Sequence, residues 1–424
     1  MKTLKLKFTL IYNFALPALL LNCIGIVILN LYNNYHIPMA DLSWLEAFKD
    51  FSILIASFLL ASSIPKMGYK KSILIGSLFE IIACVLLALF PSFLISQLFF
   101  VLVGIGFALI KVAIYSSVEL ITNNDTEHAS LISILEGFFM ASLLAGFWIF
   151  GYFMKHGEWL TVFWILAIGA AIGLLLLLVT PFDESKLIKA EQEHEKKITS
   201  KKHYLKQCII NYFKSYLDLF RLLQQKSIWI FLILIFSYLF IEQGFINWLP
   251  TFNNHILNIS SAASVEIASL LFASFALGRI VFGAIMRYVH WSKILIICIV
   301  SAIIVLLLSL YMAFHAYLVT QETQKITHWA QFPIAAYLLP LVAFFVAPIY
   351  PTLNSSILSK QTTHAQSSMT VWILIFSALG GAVGARVLGV LFSHFGGLIA
   401  MGILITPLFI LLILTIPYYI LLKK

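Results

Sequence analysis

The sequence predicts an all-α integral membrane protein of twelve transmembrane helices arranged as two pseudo-symmetric six-helix bundles. Three observations carry that expectation. Of the 424 residues, 61 % are hydrophobic and 11 % charged, against roughly 45–50 % and ~25 % in soluble chains. Mean hydropathy is +0.99, more apolar surface than a water-surrounded core can hide. The apolar residues also fall in continuous blocks of about 20, the length that crosses a bilayer as a helix. Soluble-enzyme and nucleic-acid readings are excluded at this point. The four cysteines, Cys23, Cys84, Cys208 and Cys298, have no short mutual spacing, so neither a disulfide framework nor a structural metal site is expected.

The spans read as residues 12–33, 45–64, 72–90, 94–121, 130–153, 160–180, 227–249, 264–286, 293–317, 333–357, 368–392 and 397–421. None shows the ten-residue alternation of a membrane β-barrel. Lys2, Lys5 and Lys7 precede the first block, which lacks a small-x-small cleavage site and reads as an uncleaved first span. With the N-terminus inside, 22 of the 27 Lys and Arg residues fall at cytoplasmic ends or loops. Lys49, Lys155 and Lys325 fall outside, and Lys111 and Arg386 lie within spans. The expected location is the inner (plasma) membrane, multi-pass, with both termini cytoplasmic.

Six spans, a charged stretch and six more spans divide the chain into bundles at 1–180 and 227–424, joined by a cytoplasmic loop at 181–226. Within that loop Tyr204–Leu223 mixes Leu, Ile and Phe with Lys. It reads either as an amphipathic surface helix or as part of a solvated linker. Related turns recur in the two halves. Spans 2 and 3 are joined by Ala61-Ser62-Ser63-Ile64-Pro65-Lys66-Met67-Gly68-Tyr69-Lys70-Lys71. Spans 8 and 9 carry Gly278-Arg279, Gly283, Arg287 and Lys293. Both set small residues, which let helices approach closely, beside a basic turn that can satisfy helix C-terminal carbonyls. Two six-helix halves about a central site are the layout of a rocking transporter.

These residues also resemble a known family. Ala61…Lys66-x-Gly68-Tyr69-Lys70 is similar to the loop signature of the major facilitator superfamily, in the variant of its fucose–proton and glucose/galactose symporters. Glu242 through Phe252 resembles that branch's Glu-then-Trp-Leu segment, and Tyr350-Pro351-Thr352-Leu353-Asn354-Ser355 its Pro-Thr run. Gly380-Gly381-Ala382 with Gly384 resembles its glycine-rich eleventh helix. The resemblance implies a proton-coupled symporter for a small polar solute, with sugars favoured. Three departures stand out. Pro65 replaces the usual Asp of the loop, span 1 offers Asn22 and Asn30 but no acid, and Leu109 stands where the branch has an acid in span 4. Neither of the branch's coupling carboxylates carries over.

Charges inside the spans are the remaining candidates, because burying one costs about 2.5–3.5 kcal/mol on insertion scales. Lys111 in span 4 and Glu136 in span 5 lie at nearly the same depth. They form either a static ion pair or an anion-binding lysine beside a proton-binding carboxylate. Glu242 in span 7 is the second proton-coupling candidate. Gln243 and Asn247 share a helix face with an i, i+4 spacing. With Trp248 they can bind a sugar through paired hydroxyl hydrogen bonds and a flat ring, or Trp248 can sit in the interfacial belt. Asn22 and Asn354 complete a neutral-solute set. Arg386 either holds an anion in its fork or caps carbonyls of a bent glycine-rich helix. Glu80 in span 3 has no evident partner in the sequence. Pro340, Pro348 and Pro351 predict kinks in span 10.

No phosphate-binding loop and no nucleophile elbow occurs, so neither ATP-driven pumping nor enzymatic activity is expected. No cofactor or metal is expected, and the partners are a small-molecule solute, protons and the bilayer around a monomer. The chief alternative in the same fold is transport or export of an organic anion or metal-chelating metabolite with Lys111 as counter-charge. A non-transporting membrane sensor or scaffold is the alternative from another class.

Overall fold

The computed structural model describes residues 2–60, 64–121, 125–182, 184, 223–286, 288–319, 325–358 and 363–423. The expected amphipathic segment within 204–223, Arg287, and the side chains of Lys66 and Glu136 lie outside the described residues. Among the described residues there is no strand, only one isolated bridge between Ile259 and Ile326.

In chain order the first helices are α1 (Lys2–Asn22), α2 (Ile24–Tyr35), α3 (Met39–Leu42), α4 (Leu45–Leu60), α5 (Ile64–Met67), α6 (Tyr69–Leu89), α7 (Phe93–Ile121), α8 (Asp125–Lys155) and α9 (Thr161–Val179). Then follow α10 (Lys226–His255), α11 (Ser261–Ala268), α12 (Leu270–Ile285), α13 (Trp291–Val319), α14 (Ala335–Val346), α15 (Ile349–Leu358), α16 (Thr363–Phe395), α17 (Gly397–Gly402) and α18 (Ile405–Lys423). Among the described residues, eleven spans are long and apolar enough to cross a membrane. The sixteen-residue α4 is shorter than the rest, and it supplies the expected twelfth.

The chain divides into two compact units: unit 1 is Met1–Ile37 with Phe48–Thr199, and unit 2 is Pro38–Ala47 with Ser200–Lys424. The ten-residue piece around α3 therefore packs with the second unit although its flanks belong to the first.

Unit 1 centres on an aromatic cluster in which Phe14 lies 6.3 Å from Phe107, 5.5 Å from Tyr115 and 5.4 Å from Phe139. Its outer surface is apolar, as a lipid-facing surface must be: α9 turns Ile168, Ile172, Leu175 and Val179 outward at helical spacing. Polar residues inside the spans are satisfied on nearby backbone. Asn22 donates to Ala18 O at 2.9 Å and Asn30 to Ile26 O at 2.8 Å, a side-chain competition that favours the helix break at Cys23. Lys49, placed by the sequence at the outer end of span 2, is inside α4, 5 % exposed and 3.5 Å from Asp50.

Unit 2 is built on α10, whose Phe231, Tyr238, Phe245, Trp248 and Phe252 are fully buried. The glycine run of α16 meets its backbone: a Cβ at Gly380 would fall 2.4 Å from Phe236 O, and one at Gly384 2.7 Å from Phe240 O. Of the three prolines expected to bend span 10, Pro340 sits inside an unbroken α14. The break falls between Val346 and Ile349, at Pro348. Pro348 has no N–H for Phe344 O, four residues back, and that carbonyl is where α12 comes closest. A Cβ at Gly278 would lie 2.1 Å from Phe344 O. Glycine is required there because the freed carbonyl and the neighbouring helix share one space.

Candidate functional site

The break in span 10 opens a cavity of about 510 Å³ in unit 2, lined by Arg279, Gly283, Met286, Trp291, Pro348, Pro351, Thr352, Ser355 and Ser356. The guanidinium that lines it, Arg279, is paired with a carboxylate behind it. Glu242 Oε1 accepts a hydrogen bond from the Tyr238 hydroxyl at 3.0 Å and lies 3.6 Å from Arg279 Nη2. Tyr238 and Glu242 are one helical turn apart and so share a face of α10. Tyr238 is fully buried and stacks on Tyr350 of α15, with centroids 5.3 Å apart. Arg279 comes from α12 and also lies over the Phe275 ring at 6.0 Å. The Glu242 side chain is 15 % exposed and that of Arg279 35 %; Arg279 lines the cavity and Glu242 stands behind it. The opposite wall offers hydroxyls, of which Thr352 donates to Pro348 O at 2.6 Å and Ser356 meets the Tyr418 hydroxyl at 2.8 Å.

The other span 7 candidates face elsewhere. Asn247, 1 % exposed, donates to Glu46 Oε2 at 3.0 Å. Trp248 is fully buried; its Nε1 donates to Ala385 O at 3.0 Å and its ring stacks on Phe392 at 5.1 Å. The ring face expected to meet a sugar or the interface is thus covered by α16, and Trp248 packs helix on helix. Gln243 Oε1 and Asn354 Oδ1 are buried and make no hydrogen bond within the described residues. Arg386 satisfies a carbonyl, though not one of its own helix. Its Nη1 donates to Ala40 O and, at 3.1 Å, to Ser43 Oγ, while the guanidinium lies over Trp44 at 4.8 Å. With Ser393 Oγ accepting from Ala40 N at 2.9 Å, Arg386 and Asn247 clamp residues 38–47 onto α10 and α16.

In unit 1, Asn22 is turned to its own helix, as described above. The Lys111 ammonium lies 5.5 Å from both the Phe107 and Tyr115 ring centroids, and its expected partner Glu136 has no described side chain. In the loop motif, Gly68 has φ +90°, a conformation that favours glycine. Lys70 N donates to Glu184 Oε1 at 2.9 Å, and Lys70 Nζ reaches Leu178 O at 3.2 Å and Thr180 O at 3.0 Å. One residue thus ties the N-terminus of α6 to the C-terminus of α9; Lys71 is exposed. Three participants escaped the sequence reading: Tyr238, Glu46 and Glu184. Only Tyr238 carried a signal, its i, i+4 spacing to Glu242; Tyr350 enters that reading only as part of the span 10 Pro-Thr run.

A family description, the Major Facilitator Superfamily, matches residues 10–385. A Protein TsgA homolog of Buchnera aphidicola subsp. Acyrthosiphon pisum is 22 % identical over 372 residues, covering 87 % of this chain and 84 % of its own. The homolog of Buchnera aphidicola subsp. Baizongia pistaciae is 22 % identical over 414 residues, covering 95 % and 93 %. Among solved structures, a POT family transporter in complex with 5-aminolevulinic acid superposes with TM-score 0.71 at 16 % identity, covering 98 % of this chain and 95 % of that one. The nucleoside transporter NupG superposes with TM-score 0.69 at 16 % identity, covering 100 % and 99 %. At these identities the structural likeness is one of fold.

Proposed function

The chain belongs to the Major Facilitator Superfamily, and from that premise we propose that this secondary transporter moves a small polar solute together with protons by alternating access. In this reading residues 1–180 and 227–424 are the two alternating halves and 181–226 links them on the cytoplasmic side. Both termini are cytoplasmic in an inner membrane, and the working unit is a monomer.

The observation that carries the reading is the pairing of Glu242, bonded to the Tyr238 hydroxyl, with Arg279, which lines a solute-sized cavity. Protonating Glu242 removes the charge that holds Arg279, and the guanidinium turns to whatever occupies the cavity. Proton binding and solute binding are then coupled through one side chain, the linkage that symport requires. Glu136 is the alternative proton carrier. The hydroxyls of Thr352, Ser355 and Ser356, with the amides of Gln243 and Asn354, suit a polyhydroxylated solute, in line with the sugar resemblance. Asn22 and Lys111 are the contribution proposed for unit 1. Arg279 itself favours a second reading, a carboxylate- or phosphate-bearing solute held by its fork.

The test is a thermal-shift panel of neutral sugars and organic anions on purified protein, at about pH 5.5 and pH 7.5. Ligand at about 100 times its dissociation constant stabilises by ~2.7 kcal/mol. The reading expects a larger shift at the acid pH and loss of that pH difference in Glu242→Gln. Sugar-selective shifts support the first solute class, and anion-selective shifts lost in Arg279→Gln support the second. A ligand whose shift is the same at both pH values, in wild type and Glu242→Gln alike, overturns the coupling role.

A further inference from the structure

Unit 1 contains a carboxyl group that the reading above does not use. Glu80 lies at the midpoint of α6 and is 1 % exposed. Among the described residues it is the only buried acid of unit 1. Its Oε1 is buried and makes no hydrogen bond within the described residues.

The neighbouring helix faces it with bare backbone. A Cβ at Gly106 of α7 would come within 3.3 Å of Glu80 Cγ and 2.8 Å of Gly76 O. One at Gly76 would lie 2.7 Å from Gly106 O. Where these two glycines meet, α6 and α7 touch backbone to backbone, and the carboxyl group lies one turn further along that seam. The polar groups around it are neutral. Ser77 donates to Asn13 Oδ1 at 3.4 Å, and Asn13 donates to Gly173 O of α9 at 3.2 Å. Cys84, one turn along α6, is within electrostatic range of Glu80 and of Cys23 at the α1–α2 break, and Cys23 in turn of Lys49 in α4. Lys111 does not face this seam. Five residues beyond Gly106, it points about 140° away around α7, over Phe107 and Tyr115.

An ionised carboxylate in this position has neither a cation nor an N–H donor within the described residues. The cost of a charge at mid-bilayer depth, unrelieved by either, keeps the proton on the acid. A neutral carboxylic acid tolerates the site, and it can give up its proton only when water reaches the α6–α7 seam. We propose that Glu80 is a proton-binding site of the transport cycle: protonated in the packed arrangement of α6 and α7, and deprotonated when that seam is hydrated. This extends the proton-coupled reading by a second position, in the opposite half from Glu242.

The test uses the full-length protein in detergent and N,N′-dicyclohexylcarbodiimide, an apolar reagent that needs a protonated acid. The acid proton passes to a carbodiimide nitrogen as the carboxylate adds to the central carbon, and the product rearranges to a stable N-acylurea. Peptide mass spectrometry then reads each acid separately. The expected result is an adduct on the Glu80 peptide near pH 6, with yield falling about tenfold per pH unit above its titration point. The adduct is absent in Glu80→Gln. Should that variant fail to fold, the pH series on wild type still decides.

No adduct on Glu80 at acid pH overturns the proposal, because the group is then ionised or engaged. A Glu80 adduct whose yield does not change with pH also overturns it, because the proton is then a sealed structural one. Failure here is separable from failure at Glu242. The ligand panel depends on Glu242→Gln and the labelling pattern on the Glu80 peptide, and Glu242→Gln is expected to leave Glu80 labelling unchanged.

Discussion

The contact between Glu46 and Asn247 is the most quantitative expectation the structure supports. Glu46 is fully buried, Asn247 is 1 % exposed, and the Nδ2–Oε2 distance is 3.0 Å. A neutral interhelical hydrogen bond in a membrane protein averages about 0.6 kcal/mol and reaches ~1.7. One to a charged, desolvated group is worth about 1.5–3 kcal/mol. Full burial of both partners places this pair at the top of the first range. Glu46→Gln, Asn247→Leu and the double variant form a cycle, read by equilibrium unfolding in mixed detergent micelles. We expect a coupling energy of about 1.5 kcal/mol or more, a tenfold change in the unfolding constant. Asn247→Leu also loosens one of the two fastenings of residues 38–47, so alkylation of an Ala40→Cys thiol should quicken in that background. A coupling energy below ~0.5 kcal/mol, the ordinary error of additivity, would refute the claim that this bond holds the segment.

Three further expectations follow from close contacts. Gly278→Ala puts a methyl group 2.1 Å from Phe344 O, against backbone that cannot swing aside. It should destabilise by about 1–3 kcal/mol in unfolding assays, whereas Gly283→Ala, with nothing within 4 Å, should be neutral. Arg386→Lys should lose nearly as much stability as Arg386→Ala, because a point charge cannot reach Ala40 O and Ser43 Oγ while lying flat on Trp44. Trp248→Phe keeps an aromatic ring against Phe392 but removes the bond to Ala385 O. It should cost about 0.5–1.5 kcal/mol and leave ligand shifts in the panel unchanged; a large loss of sugar response would restore Trp248 as a solute platform.

The twelve helices were legible because hydropathy is a one-dimensional property and the bilayer imposes a fixed length on it. The site was legible only along single helices. Glu242 stood out as a charge in a span, and Gln243 with Asn247 as a shared face. The partners that decide what these groups do come from elsewhere in the fold: Arg279 from α12, and Glu46 from 201 positions away. Trp248 shows the limit. A tryptophan near a span end reads alike whether it faces lipid, solute or a neighbouring helix, and only the covering of its ring by Phe392 separates them. Span 10 shows another. Three prolines predicted bends, but only Pro348 frees a carbonyl at a helix break where a glycine of α12 closes in.

The acids themselves show why coupling need not sit where the sugar branch has it. Where that branch carries acids in spans 1 and 4, span 1 here offers Asn22 and Asn30, each turned onto its own helix, and the place in span 4 is held by the buried Leu109. None of them can exchange a proton. Of the described acids inside the spans, Glu80 in unit 1 and Glu242 in unit 2 stand in opposite electrostatic settings. Glu242 has a cation and a hydroxyl beside it, so its charge is tolerated and a bound proton must displace Arg279. Glu80 has backbone and neutral groups, so its proton is tolerated and its charge must wait for water. On the proposed reading, one group is suited to take up a proton and the other to release one. A cation brought to this seam should remove the difference: Ile110 packs against Gly76, one turn of α6 from Glu80, and in a folded Ile110→Arg protein the guanidinium is expected to abolish the carbodiimide labelling by holding the carboxylate ionised. Persistent labelling in a folded Ile110→Arg protein would show that the carboxyl group does not face the α7 seam as the structure places it.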